Sequence, residues 1–425
     1  MEKNTPPVIK PMQFSGLALP VSRVMPNSIP LYIIGNDDRG VVRLEFVFKG
    51  GYGIQQKPLQ ATFTNRMLRE GAAGYSSDEI SQKLDYYGAW IETYSSQNAN
   101  HITLYSLSKY IVPLLQLLSA IIKQPTFPAD NLETVRRSGL AAYEVASQKV
   151  DVVSQRYFEK CLWGEGNPLG HVVLAQDYRN ITVGDLQNYY NSVYSSNNCT
   201  VFLSGTVDEK VITALEKTFG SDEWGGGCAM DMQFAKAYSS EFGRCNVKLD
   251  NTLQSAVKVG FMALDSTSPD YHKLRFLTVL LGGYFGSRLM SNIREENGFT
   301  YHIWAELDTY GDKCAFMISS EMATEYVEPC LAEIYKEIER LKNEPIEVEE
   351  IEHVRNYILG EMCREVEGVS ARAEVFVNAW LSGEGFEGVN EYLKVVESVT
   401  PDELMEVARK YFCNDKMIEV VVGNN

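Results

Sequence analysis

The sequence predicts an α+β protein built as two pseudo-symmetric domains, each a mainly antiparallel sheet covered by helices. Three observations predict it. First, the two halves end alike. Ile181-Thr182-Val183-Gly184-Asp185-Leu186 leads through a helix to Val201-Phe202-Leu203-Ser204-Gly205, and Val399-Thr400-Pro401-Asp402-Glu403-Leu404 leads through a helix of equal length to Val420-Val421-Val422-Gly423. Second, the order of elements before those endings repeats. Third, Gly88 and Gly298 fall at matching places, each stopping a second helix before a strand.

Each element follows from its residues. Residues 41 to 48 alternate as a strand. Helices are expected at about 58–70 and 77–87, then strands at 89–96 and 100–108, then further helices up to the one capped by Thr182. Residues 221 to 244 contain Gly225-Gly226-Gly227 and few periodic apolar positions, so they are expected to be a linker between domains 1–220 and 245–425. In the second half, residues 253 to 262 are the strand, with helices at 270–282 and 287–297 and strands at 300–308 and 313–320. Helices fill most of 324–412, and a last strand ends the chain. Strands followed by runs of helices place the helices over one sheet face.

Composition narrows the function. The chain has 425 residues, 45% of them apolar and 22% charged, as in a globular protein with a large core. Its net charge is −17, which argues against nucleic acid or an anionic membrane surface as a partner, because both demand basic clusters. No apolar run is long enough for a membrane span, and the start, Met1-Glu2-Lys3-Asn4-Thr5-Pro6-Pro7, lacks the apolar core of a leader. The eight cysteines contain no Cys-x-x-Cys and the five histidines no close pair, so the expectation is free thiols in a reducing compartment and no metal site. Gly282-Gly283-x-x-Gly286 follows a helix-like run rather than a strand, so it reads as a helix-to-helix turn and not as a dinucleotide loop.

Two segments carry the functional reading. Residues 61–71 are Ala-Thr-Phe-Thr-Asn-Arg-Met-Leu-Arg-Glu-Gly, followed by a capped helix and Gly88-Ala89-Trp90-Ile91-Glu92-Thr93-Tyr94. Thr62, Asn65, Arg66 and Arg69 share one face at helical spacing. In the second half stands Phe285-Gly286-Ser287-Arg288-Leu289-Met290-Ser291-Asn292-Ile293-Arg294-Glu295-Glu296-Asn297-Gly298-Phe299-Thr300-Tyr301. Here a helix capped by Ser287 is expected to bring Arg294, in its last turn, near Tyr301 at the start of the next strand. An arginine fork grips a peptide carbonyl and a tyrosine hydroxyl donates to an oxyanion, but neither activates water at neutral pH.

Both segments resemble the insulinase/pitrilysin-like zinc peptidases, the inverzincins, over nearly the whole chain. The resemblance implies the insulinase-like fold. In that family the first segment carries His-x-x-Glu-His, two zinc ligands and a carboxylate base. Thr62, Asn65 and Arg66 stand at those three positions here, and a threonine and an arginine cannot hold zinc. Glu144 lies near the place of the family's downstream glutamate, and one carboxylate is not a zinc site. Arg66 is expected to put a cation where the metal would sit. The Ser-Arg-Leu…Ile-Arg-Glu…Gly-x-x-Tyr run resembles the C-terminal half of the family, whose arginine and tyrosine reach the zinc-bound substrate; they map onto Arg294 and Tyr301.

The resemblance thus implies the non-zinc subunit of a heterodimeric metallopeptidase, similar to the mitochondrial processing peptidase-like bacterial heterodimers. This chain would bind no cofactor and be inactive alone. Its partner would be a homologous subunit bearing His-x-x-Glu-His and zinc, its substrates peptides, and its compartment the bacterial cytoplasm, with the periplasm as the alternative. In isolation it could pair with itself. The second reading is a non-catalytic structural or peptide-binding homologue. The segments 89–96 and 300–307 offer edges for an extended peptide.

Overall fold

The computed structural model describes residues 14–35, 39–228 and 240–424. Its strands are β1 (Val21–Val24), β2 (Pro30–Ile34), β3 (Val41–Lys49), the two-residue hairpin β4 (Gly71–Ala72) and β5 (Tyr75–Ser76), β6 (Trp90–Ser95), β7 (Ala99–Leu107), β8 (Cys199–Gly205), β9 (Gly243–Lys248), β10 (Ser255–Asp265), β11 (Ile303–Tyr310), β12 (Lys313–Met322) and β13 (Ile418–Gly423). The first-half helices are α1 (Gln60–Met67), α2 (Ser77–Tyr87), α3 (Ile111–Lys123), α4 (Ala129–Ala146), α5 (Val150–Trp163), α6 (Ala175–Asn180), α7 (Val183–Val193) and α8 (Glu209–Phe219). The second half adds α9 (Tyr271–Gly282), α10 (Val327–Asn343), α11 (Val348–Glu365), α12 (Val369–Leu381), α13 (Gly388–Ser398) and α14 (Pro401–Tyr411).

Two sheets result, both mainly antiparallel. The first runs β1-β2-β8-β3-β7-β6 and the second β11-β12-β10-β13-β9. The repeat extends to pairing direction. β2 pairs parallel with β8, and β9 pairs parallel with β13; the other pairs in both sheets are antiparallel. The expected caps are in place. Thr182 accepts from Asp185 N and Thr400 from Glu403 N, each acid returning the bond to the cap backbone, and each starts an 11-residue helix. Gly88 and Gly298 hold φ of +58° and +67°, a conformation glycine adopts without a side-chain penalty.

Helices of each half bury the leucine-, isoleucine- and phenylalanine-rich face of their own sheet. The opposite faces are shared. α5, a first-half helix, lays Val153, Phe158, Cys161 and Leu162 on Ala256, Met317, Val420 and Val422 of the second sheet. α12, its counterpart by position in the repeat, lays Ala373, Phe376 and Val377 on Ile34, Val47 and Phe202 of the first. Gly260 permits the first of these contacts, since a β-carbon there would meet the Phe158 ring at 2.9 Å and Phe316 O at 2.1 Å. The halves therefore interlock by exchanging one helix each.

Some boundaries differ from those expected. β9 takes up Gly243 and Arg244, the last two residues of the 221–244 segment, because the parallel partner strand β13 supplies their register; residues 229–239 lie outside the described residues. The helix at 58–70 ends in a 3₁₀ turn at Leu68–Glu70. The helix expected at 287–297 is a π-helix over Met290–Glu296. The strand expected from 300 starts at Ile303. No described helix is long and apolar enough to cross a membrane.

Candidate functional site

The first segment folds as α1, against β6 and β7. Its start is fixed by Gln60, whose Oε1 accepts from Gln56 N and Lys57 N at 3.0 and 2.9 Å while its Nε2 donates to Asp185 O at 3.1 Å. The face predicted to hold Thr62, Asn65, Arg66 and Arg69 divides. Thr62 and Arg66 are exposed, and among the described residues Arg66 has no hydrogen-bond or ion-pair partner. Asn65 is 1% exposed, and its amide donates to Tyr94 O at 2.6 Å and His101 O at 3.1 Å. Arg69 donates to Ile91 O at 2.5 Å. Two members of that face thus hold the helix to the neighbouring strands.

These donors do not fit zinc. A guanidinium stays protonated and has no lone pair to give, the Asn65 amide is committed to backbone, and Glu144 is exposed on α4. Among the described residues no group of three His, Cys, Asp or Glu side chains is placed to hold a metal ion.

Beside α1 lies a network that the sequence reading missed. Arg43 and Glu45, two apart on β3, project to the sheet face away from the Leu44 and Phe46 core, with His101 on β7. Glu45 Oε1 lies 2.8 Å from His101 Nδ1, and its other oxygen lies 2.8 Å from Arg43 Nη2. Burial alone would raise the Glu45 carboxyl; the His101 hydrogen bond and the Arg43 charge outweigh it and hold it below the usual range. Tyr94 stacks on His101 at 4.1 Å and Trp90 on Tyr105 at 4.8 Å, so the same face carries an aromatic shelf, with Trp90 and Tyr94 half exposed. The available signal was Arg-x-Glu inside an otherwise apolar strand.

The second segment is held rigidly around Arg294 and Tyr301. Asn292 is buried; its amide donates to Glu333 at 2.8 Å and Glu337 at 2.6 Å on α10, and its oxygens accept from Asn297. Asn297 N reaches back five residues to Asn292 O, the bond that widens the turn into a π-helix. Arg288 fixes the start of the segment through two 2.8 Å bonds to Glu350 on α11. Ser287 is not the expected cap: its hydroxyl is buried without a partner, and only its carbonyl serves, accepting from Ser291 N.

Tyr301 lies in the loop before β11 rather than at a strand start. Thr300 clamps that loop, donating to Glu321 O at 2.6 Å and accepting from His302 N at 3.1 Å. The Tyr301 side chain is 91% exposed, at the wall of a cavity of about 640 Å³ that Asp151, Gln155, Lys258, His302 and Glu321 also line. Arg294 is half-buried with its guanidinium 4.5 Å over the Phe285 ring, free of ion pairs among the described residues. No hydrogen bond, ion pair or ring contact joins Arg294 to Tyr301, or either to α1, among the described residues.

Below the same cavity, α5 and the second sheet enclose Glu159, Lys258 and Asp308. Burial, reinforced by Glu306 and Glu159, pushes the Asp308 carboxyl up to about 7. Burial lowers Lys258 despite its acidic neighbours.

Residues 180–358 match the model of the Peptidase M16 inactive domain. A curated relative named uncharacterized zinc protease YmxG, from Bacillus subtilis, is 20% identical over 362 residues, covering 84% of this chain and 87% of its own. The non-peptidase homolog YmxG of Helicobacter pylori is 21% identical over 394 residues, covering 90% and 88%. Among solved structures, a peptidase M16 inactive domain from Pseudomonas fluorescens superposes with a TM-score of 0.86 at 21% identity, over 96% of this chain and 98% of that one.

Proposed function

We propose, for a chain that belongs to the M16 peptidase family as one of its inactive members, a role as the non-zinc subunit of a heterodimeric metallopeptidase. Arg294 and Tyr301 would bind the peptide and support the tetrahedral intermediate at the zinc site of a homologous His-x-x-Glu-His partner. The observation that carries this reading is the contrast between the two segments. Asn65 and Arg69 are spent on backbone carbonyls, whereas Tyr301 and Arg294 are held at the end of a built framework with their polar groups unspent. A side chain kept only for packing has no need of that framework. The arginine suits the substrate carbonyl, and the phenol hydroxyl suits the developing oxyanion. The nucleophile and its activation come from the partner, since neither a guanidinium nor a phenol activates water at neutral pH.

The alternative, a structural or peptide-binding homologue, draws on α1. There the former catalytic face has become a fastening to β6 and β7, beside an aromatic shelf suited to an extended chain.

One experiment separates them. The chain is mixed with a homologous zinc-bearing subunit, and peptide cleavage is measured with wild type, Tyr301→Phe and Arg294→Ala. The expected outcome is cleavage by the mixture only, with kcat lowered about 100-fold for Tyr301→Phe, the usual effect of removing one oxyanion donor, and complex formation unchanged. Full activity in both variant mixtures would leave the structural reading, and cleavage by the isolated chain would refute both.

A further inference from the structure

Cys161 lies in the last turn of α5, 3% exposed. Cys245 lies on β9 at the register position of Val420 on β13. Register partners project to one face of a sheet, and Val420 is buried under α5 in the same cluster as Cys161. Half-buried Cys245 packs against that cluster. The two cysteines therefore face one another within a single packed cluster between α5 and the second sheet. Hydrogen bonds to the last turn of α5 hold the approach. Glu241 N donates to Cys161 O at 2.7 Å, and Ser240 Oγ donates to Leu162 O at 2.9 Å, a few residues before Cys245.

We propose that Cys161 and Cys245 form a redox latch, closing as a disulfide that clamps a first-half helix to the edge strand of the second sheet. The oxidant is a low-molecular-weight disulfide such as oxidised glutathione. Cys245, the more accessible of the two, loses its proton to water and attacks one sulfur of the oxidant; a mixed disulfide forms and one glutathione thiolate leaves. Cys161 then gives up its proton and attacks Sγ of Cys245, expelling the second glutathione thiolate. Two protein thiols are oxidised, one disulfide is reduced to two glutathione molecules, and the released protons end on the leaving thiolates. Burial, with Cys245 beside it, pushes the Cys161 thiol up to about 12, so Cys161 is the slower, resolving sulfur. α5 also carries Asp151, Ser154 and Gln155 on the wall of the cavity that Tyr301 lines. Closing the latch fixes that wall against the second sheet.

The test treats the full chain with oxidised glutathione and removes the excess. Expected are an intact mass lower by two hydrogens, a non-reducing peptide map joining the Cys161 and Cys245 peptides, and an unfolding midpoint raised by roughly 5 °C. All three reverse with dithiothreitol and are absent in Cys245→Ser and Cys161→Ser. Should Cys161→Ser misfold, bridging of the wild-type thiols by dibromobimane, lost in Cys245→Ser, reads their proximity independently. A stable glutathione adduct at Cys245 without the crosslink, a link through exposed Cys228 instead, or an equal midpoint shift in Cys245→Ser overturns the latch.

Discussion

Asn65 donates from one amide to two strand carbonyls, while Arg66, next in sequence, faces solvent without a partner among the described residues. Their substitutions should differ accordingly. Asn65→Ala leaves Tyr94 O and His101 O short of donors in a buried setting and should cost about 1–3 kcal/mol. Arg66→Ala should stay within about 0.5 kcal/mol of wild type. Urea unfolding of both variants is the check; equal values would mean that the Asn65 bonds contribute nothing. A second residue-scale prediction concerns pH. The folded-state pKa of Asp308, about 7, lies above its ordinary value of 3.8. Folding therefore favours its protonated form. The stability this group contributes is complete below pH 3.8 and is lost as pH rises through 7, by at most about 4 kcal/mol. Asp308→Asn should flatten the decline between pH 5 and 8 and make the variant the more stable form at pH 8. Chemical denaturation at both pH values tests it; parallel curves for the two proteins would exclude Asp308 as the group responsible. Asn65 and Asp308 also mark a limit of sequence reading. A residue on the polar face of a helix reads as exposed, and an aspartate in a strand as solvated, until the strands or helix above them are placed.

At the scale of elements, α5 and α12 matter most, because each covers the sheet of the other half. Phe376 on α12 is fully buried against Ile34, Val47 and Phe202. Phe376→Ala should cost about 3–5 kcal/mol and loosen the first sheet although the mutation lies in the second half. Hydrogen exchange at β8 amides should quicken in the variant; exchange confined to α12 would mean the contact does not couple the halves. The equal helices capped by Thr182 and Thr400 were legible because a capping box is a local bargain between residues three apart. The π-helix at Met290–Glu296 was not. Its five-residue step closes on Asn292, whose side chain Glu333 and Glu337 on α10 hold from a distant part of the chain.

For the whole molecule, the expected behaviour follows from its donors. The isolated chain should hold no stoichiometric zinc by elemental analysis, and a chelator should leave its unfolding midpoint unchanged; a chelator-sensitive midpoint would reveal a metal site that the described residues do not form. The sequence by itself determined the duplication, the α+β class, the caps and the absence of zinc ligands at residues 62, 65 and 66. All of these depend on periodicity and on residue chemistry within a few positions. Only the tertiary structure decided that the halves exchange a helix, that Asn65 is a fastening rather than part of an open site, that Tyr301 stands in a clamped loop beside a cavity, and that Cys161 meets Cys245. Those outcomes rest on which distant surfaces pack together, and packing is a property of the assembled sheets and helices that no local stretch of residues encodes.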